Sequence, residues 1–201
     1  MSPVEIRKIT DRISYFPATE MPLSADVGII RCNDELWIYD VGSSEEVAEA
    51  VNALPGRKNI VLSHFHPDHT GNVSRMAYDM LYAGAFTCRK LEKGTVVDSH
   101  LHFENGIHLF PLPSGHAKGC VGLEYGDYVF LGDATYSTMK AGRIAYNAGL
   151  LQELIAVLKS LQANCFFLSH SQPFAHPKKE VIAQLEEIYA RRDRYEPYIL
   201  L

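Results

Sequence analysis

Residues 64–69 read His64-Phe65-His66-Pro67-Asp68-His69, placing four metal-capable side chains within six positions. The segment follows Asn59 to Ser63, a short apolar run that predicts a strand, so the cluster falls at a strand's carboxyl end. There, residues two apart lie on one side of the chain, and His64 and His66 can reach one ion. Pro67 and Gly71 suit the tight turns that would carry Asp68 and His69 toward a second ion. Neutral imidazoles and a carboxylate, with no cysteine among them, suit an open site for zinc, iron, manganese or cobalt and not a closed structural zinc site. A lone histidine after a strand would carry no such reading.

Outward from this segment, the first half reads mostly as strands. Val27 to Arg31 and Glu35 to Tyr39 are apolar runs joined by Asn33-Asp34, a hairpin signal. The second run ends at Asp40-Val41-Gly42. Ser43 and Glu46 are then spaced as a capping box for a helix carrying Val47, Ala50, Val51 and Leu54, which Pro55-Gly56 stops. Further strands are predicted at Met80 to Ala83, Ile107 to Phe110, Val121 to Glu124, Tyr128 to Leu131 and Cys165 to Leu168. Two helices are predicted late in the chain. Leu150 to Leu161 has Leu151, Leu154, Ile155, Leu158 and Leu161 on one stripe, and Pro177 to Arg191 carries Val181, Ile182, Leu185, Ile188 and Tyr189. Strands in two blocks, each followed by helices, predict an α+β fold, a four-layer αββα sandwich with two mixed sheets flanked by helices. Periodicity alone leaves other α+β folds open. No Ser/Gly or Pro-rich tract, charge run or repeat marks a boundary, so residues 1–201 are expected to form a single domain.

The 201 residues carry 19 basic and 24 acidic side chains, a formal net charge of -5, which offers no global attraction for nucleic acid or an anionic membrane. The four cysteines, Cys32, Cys88, Cys120 and Cys165, are scattered with no CxxC pair, as expected of reduced thiols in a cytoplasmic protein. Met1 to Thr10 holds no apolar leader-like run, and no window approaches a membrane span. A soluble cytoplasmic protein is expected.

His64-x-His66-x-Asp68-His69 closely resembles the signature of the metallo-β-lactamase superfamily, His-x-His-x-Asp-His. Asp40-Val41-Gly42 is similar to the Asp-x-Gly turn that precedes that signature. Gly115-His116 is similar to the family's isolated third histidine, Gly132-Asp133 to its bridging aspartate, and Ser169-His170 to its last histidine. The resemblance spans residues 40 to 170 and implies two divalent ions, zinc first, with iron or manganese as alternatives. His64, His66 and His116 would hold the first ion, Asp68, His69 and His170 the second, and Asp133 both. Asp40 is a candidate to hold the outer N–H of a ligand histidine. Two departures stand out. Leu112-Pro113-Ser114-Gly115-His116 places Ser114 where many relatives have Pro. Asp133 stands where broad-spectrum metallo-β-lactamases have cysteine, which argues against antibiotic hydrolysis. One predicted helix follows His170, so the helical domain of full-length glyoxalase II enzymes is not expected.

The resemblance implies a dinuclear metal-dependent hydrolase with a metal-bridging hydroxide as nucleophile, oriented by Asp68. The favoured substrate is a small ester-like molecule, a lactone or a thioester. Hydrolysis of a small nucleotide or cyclic phosphodiester is one alternative, iron-dependent redox chemistry another, and a non-catalytic metal-binding module a third. Tyr136, three residues after Asp133, resembles a lactonase tyrosine that contacts the substrate carbonyl, and is the expected catalytic and substrate-binding partner of Asp68. Lys140 and Arg143 are further substrate-binding candidates, Gly142-Arg143 being loosely similar to a Gly-Arg of glyoxalase II-like thioesterases. His100, His102 and His108 alternate as on a strand, but no carboxylate or cysteine is arranged with them, so they are read as solvated or structural. The Arg191 to Leu201 tail is expected to pack either on its own domain or on a second copy, as a homodimer.

Overall fold

The computed structural model describes residues 4–201. The first three residues of the Met1 to Thr10 stretch lie outside the described residues. The described chain falls into two compact units divided after Asp98.

In the first unit, β1 (Arg7–Lys8), β2 (Ile13–Phe16), β5 (Val27–Cys32), β6 (Glu35–Tyr39), β7 (Arg57–Leu62), β8 (Met80–Ala83) and β9 (Thr95–Val96) form one mixed sheet in that order. A two-stranded ribbon, β3 (Thr19–Glu20) with β4 (Leu23–Ser24), stands beside it. Pairing is antiparallel from β1 to β6 and parallel from β6 to β9. Parallel strands need crossovers, and these supply α1 (Glu45–Ala53), the short α2 (Pro67–Thr70) and α3 (Ala85–Leu91). Helices therefore alternate with strands here, and of the three the sequence predicts α1. The parallel strands are apolar almost throughout because both faces are covered: Leu36, Trp37, Ile38, Ile60, Val61 and Leu62 are all buried. One face packs Ile29, Ile38, Ile60 and Leu62 into a cluster with Val47, Ala48 and Val51 of α1.

The predicted hairpin forms, with Asn33 in the left-handed region (φ 53°) at its turn. The capping box does not form as spaced. α1 is capped at Ser44, whose hydroxyl donates to Glu46 Oε2 at 2.7 Å, while Ser43 is committed elsewhere, its hydroxyl donating to the Leu23 carbonyl at 2.6 Å.

In the second unit, β10 (Leu101–His102), β11 (Ile107–Leu112), β12 (Cys120–Tyr125), β13 (Tyr128–Gly132), β16 (Cys165–Leu168) and β17 (Ala175–Pro177) form a mixed sheet in that order, with β13 and β16 its parallel pair. A second, three-stranded sheet joins β14 (Thr138–Lys140), β15 (Arg143–Asn147) and β18 (Tyr198–Leu200). The two predicted helices are α4 (Ala148–Ser160) and α5 (Lys178–Ala190). Asn147 caps α4, its side-chain oxygen accepting the Leu150 N–H at 3.0 Å. The predicted stripe Leu151, Leu154, Ile155 and Leu158 is buried, each such side chain contributing about 1.5–3 kcal/mol. Pro177 serves as the N-cap of α5 and also ends β17, one residue before the first helical turn where the sequence placed it. The terminal tail packs on its own unit: Tyr198 pairs with Asn147 and Leu200 with Ala145.

Candidate metal centre

In the first unit, the parallel strands β6 and β7 end side by side, and the metal-capable residues start where they end. Asp40 follows β6 with φ 58°, a left-handed conformation that aspartate tolerates better than most residues. Its fully buried carboxylate takes up what the backbone turn presents. Oδ1 accepts the Ser63 N–H at 2.7 Å, and Oδ2 accepts the Ser63 hydroxyl at 2.8 Å and the His69 Nδ1–H at 2.7 Å. Gly42 is required two residues on: φ is 62°, and a Cβ there would stand 2.5 Å from Ser24 Oγ.

These bonds settle the tautomers. A carboxylate only accepts, so Nδ1 of His69 carries the proton and Nε2 is its lone-pair nitrogen. The Ser63 hydroxyl spends its proton on Asp40, so at 2.9 Å it accepts from Nδ1–H of His64, which likewise makes Nε2 the lone-pair nitrogen. His64 Nε2 lies 2.8 Å from His66 Nδ1, and His69 Nε2 lies 3.4 Å from Asp68 Oδ2. The four residues of the 64–69 segment are thus gathered into two adjacent pairs. Pro67 opens α2 at its first position. The loop is latched by Val41 N–H to the His69 carbonyl at 3.0 Å and by the Asn72 amide to the carbonyls of Val41 and Ser44 at 3.0 and 2.7 Å. Phe65 points its ring at Phe86 of α3, centroids 4.8 Å apart.

The second unit repeats the device at its own parallel pair. Asp133 follows β13, is 6% exposed, and has Oδ2 3.4 Å from Nε2 of His116. His116 Nδ1 donates to the Ser137 carbonyl at 3.1 Å, again leaving Nε2 as the lone-pair nitrogen. His170 follows β16, one residue beyond Ser169, with φ 59°. Ser114, the departure before Gly115-His116, bonds both ways: its hydroxyl donates to the Ala134 carbonyl at 2.8 Å and accepts the His116 N–H at 3.1 Å. It ties the third-histidine loop to the turn that carries Asp133.

The remaining candidates are placed differently. The Tyr136 hydroxyl donates to the Ser169 carbonyl, next to His170. Lys140 and Arg143 face each other across the β14–β15 turn at Ala141-Gly142, both exposed, with the Lys140 ammonium 4.8 Å above the Tyr198 ring. Cys120 is a buried thiol. His176 lies on β17 with Nε2 2.7 Å from Ser171 Oγ. Sequence reasoning passed over Ser63 and the Ser137 carbonyl, and noted Ser114 only as a departure from the family pattern. Only Ser63 carried a signal, a small polar residue closing an apolar strand immediately before the first histidine.

Solved structures share this architecture over nearly the whole chain. The metallo-β-lactamase FIM-1 from Pseudomonas aeruginosa, in its mono-zinc form, matches with TM-score 0.69 and 19% identity, over 92% of this chain and 95% of its own. This is the metallo-β-lactamase fold. The same fold in an archaeal metallo-β-lactamase superfamily protein from Sulfolobus tokodaii matches with TM-score 0.64 and 17% identity, over 94% of this chain and 90% of the other. A flavoprotein from Thermotoga maritima matches 97% of this chain with 63% of its own, at TM-score 0.72 and 12% identity. No family model matches the sequence, and no curated protein does.

Proposed function

We propose that the chain is a metal-dependent hydrolase of a small ester-like substrate, a lactone or a thioester. His64, His66 and His116 would hold one divalent ion, Asp68, His69 and His170 a second, and Asp133 both. The observation that carries this reading is the buried Asp40–Ser63 network, which commits the Nδ1 protons of His64 and His69 and so supports a ligand role for both Nε2 nitrogens. Such carboxylate-to-imidazole partners are the usual support of a metal-ligating histidine. The nitrogen and oxygen donors fit zinc, with iron or manganese as alternatives.

When bound, two such ions would supply an activated water and polarise a carbonyl oxygen near neutral pH. The chain's own part is to fix donors on rigid strand ends and to keep two carboxylates, Asp68 and Asp133, against that charge. Asp68 would also orient the nucleophile. An acidic chain, with 24 acidic against 19 basic residues, favours a small substrate over a long polyanion. Asp133 in place of cysteine turns the reading from β-lactams to lactones or thioesters. Among the described residues no helix is long and apolar enough to cross a membrane, and the cysteines form no disulfide, in keeping with a reducing cytoplasm.

Metal analysis followed by a lactone, thioester and phosphodiester panel tests the proposal. About two ions per chain and turnover of a lactone or thioester are expected, with Asp68→Ala inactive yet folded. Fewer than one ion per chain after reconstitution would sink the dinuclear reading, and turnover of diesters alone would overturn the substrate class.

A further inference from the structure

Three histidines of the second unit gather on one face of its sheet, outside the ligand set proposed above. β10 pairs with β11 so that His102 stands opposite His108, and β11 pairs with β12 so that His108 stands opposite Glu124. Residues directly opposite across strands share a face, and His100, two positions before His102, shares it too. The side chains obey this. His100 Nδ1 is 2.8 Å from His108 Nε2, and the His102 and His108 rings stack with centroids 4.1 Å apart. One nitrogen from each of the three imidazoles lies within 4.8 Å of the others.

Asp98 and Glu104 flank these histidines in the chain but form no recognisable ligand pattern with them. The sheet register brings a carboxylate from sixteen residues away. Glu124 Oε2 lies 2.9 Å from His108 Nδ1 and accepts its proton, which leaves Nε2 as the lone-pair nitrogen facing His100. A carboxylate behind one imidazole, with the opposite nitrogen turned toward a second, is how protein metal sites orient their histidines. Burial lowers the His108 pKa from its ordinary value, with Glu124 pulling the other way.

We propose that His100, His102 and His108 bind a late first-row divalent ion such as zinc or copper at the protein surface, with Glu124 positioning His108 and water completing the coordination. Imidazole donors suit this class. Two nitrogens each about 2.1 Å from one tetrahedral zinc stand about 3.4 Å apart, so the exposed rings of His100 and His102 need to tilt out of their stack and close by at most about 1.4 Å. The competing arrangement is a simple hydrogen-bonded histidine pair carrying no metal.

Equilibrium dialysis against micromolar free zinc separates the two. Wild-type protein should retain one more zinc per chain than the His100→Gln/His102→Gln variant, whose substitutions are both exposed and should leave the circular dichroism spectrum unchanged. Copper(II) added to zinc-loaded wild-type protein should show nitrogen superhyperfine structure in its EPR spectrum that the double variant lacks. Glu124→Gln should weaken the site about 10–100-fold. Equal zinc content in wild type and the double variant would overturn the proposal, whatever the content of the other centre.

Discussion

Asp40 Oδ2 and His69 Nδ1 lie 2.7 Å apart with both side chains fully buried. The contact joins the ends of two strands: Asp40 follows β6, and His69 belongs to α2, which follows β7. The same carboxylate reaches His64 through the Ser63 hydroxyl, so one acidic group sets the tautomers of two candidate ligands.

Asp40→Asn removes the charge and keeps the shape. Its amide oxygen can replace only part of the acceptor set, and its N–H₂ meets donors at Ser63 and His69. Zinc affinity, measured by chelator competition, should fall about 10–100-fold with the fold retained. Unchanged affinity would mean that His69 is oriented by the loop alone.

Ser63→Ala breaks the second arm only. It removes a buried donor to Asp40 and a buried acceptor for His64, at a cost of about 1–3 kcal/mol in stability, read from urea unfolding. Zinc should be lost more readily than from wild type, though less readily than from Asp40→Asn, because the Asp40–His69 bond remains. A variant as stable as wild type would show that other groups take over both bonds.

The histidine signature was legible because its chemistry is contiguous: four ligands in six residues need no tertiary contact to be seen. The parallel strands were legible for a related reason, since burial on both faces writes an unbroken apolar run such as Leu36 to Tyr39. What the sequence hid depends on register. Glu124 becomes the partner of His108 only when β11 and β12 align, and the β14–β15–β18 sheet needs Tyr198 to return to Asn147. α3 was missed because only Thr87 and Cys88 are buried in it, too few to make a stripe. The capping box was displaced by one residue because Ser43 is claimed by Leu23 and Ser24.

Tyr136 offers a choice between two roles that kinetics can separate. Its hydroxyl donates to the Ser169 carbonyl, beside His170, which suits a positioning residue. If it acts that way, Tyr136→Phe should weaken zinc retention along with kcat. If the hydroxyl instead turns to the substrate oxyanion, kcat should fall with zinc content intact. We expect the first outcome, and intact zinc content with reduced kcat would assign the second.

The thiols should be slow to react. Burial raises the pKa of Cys88 and Cys165, Asp127 adding to the effect at Cys165, and Cys32 and Cys120 are buried as well. A raised thiol pKa means less thiolate at pH 8 than an ordinary cysteine would present. Ellman's reagent should therefore find all four thiols in guanidinium but react slowly with native protein. Fast reaction of two or more native thiols would contradict the burial described.

Gly122→Ala sets two effects of opposite sign against each other. Replacing glycine in the middle of β12 should gain about 0.5–1 kcal/mol by stiffening the unfolded chain. A Cβ there, however, would stand 2.6 and 2.8 Å from ring carbons of Phe110, its partner across the β11–β12 register. Phe110 is fully buried and cannot swing into solvent, so the methyl must push the ring along the sheet. Overpacking of this kind costs about 1–3 kcal/mol, which exceeds the gain. Tm should drop by roughly 2–4 °C for each net kcal/mol in a chain of this length. The Phe110 ring also lies under His100 and His108, with centroids 5.9 and 5.1 Å away. The same substitution should therefore loosen the proposed surface zinc while sparing ions at the proposed strand-end centre, and an unchanged Tm would show that Phe110 can re-seat without loss.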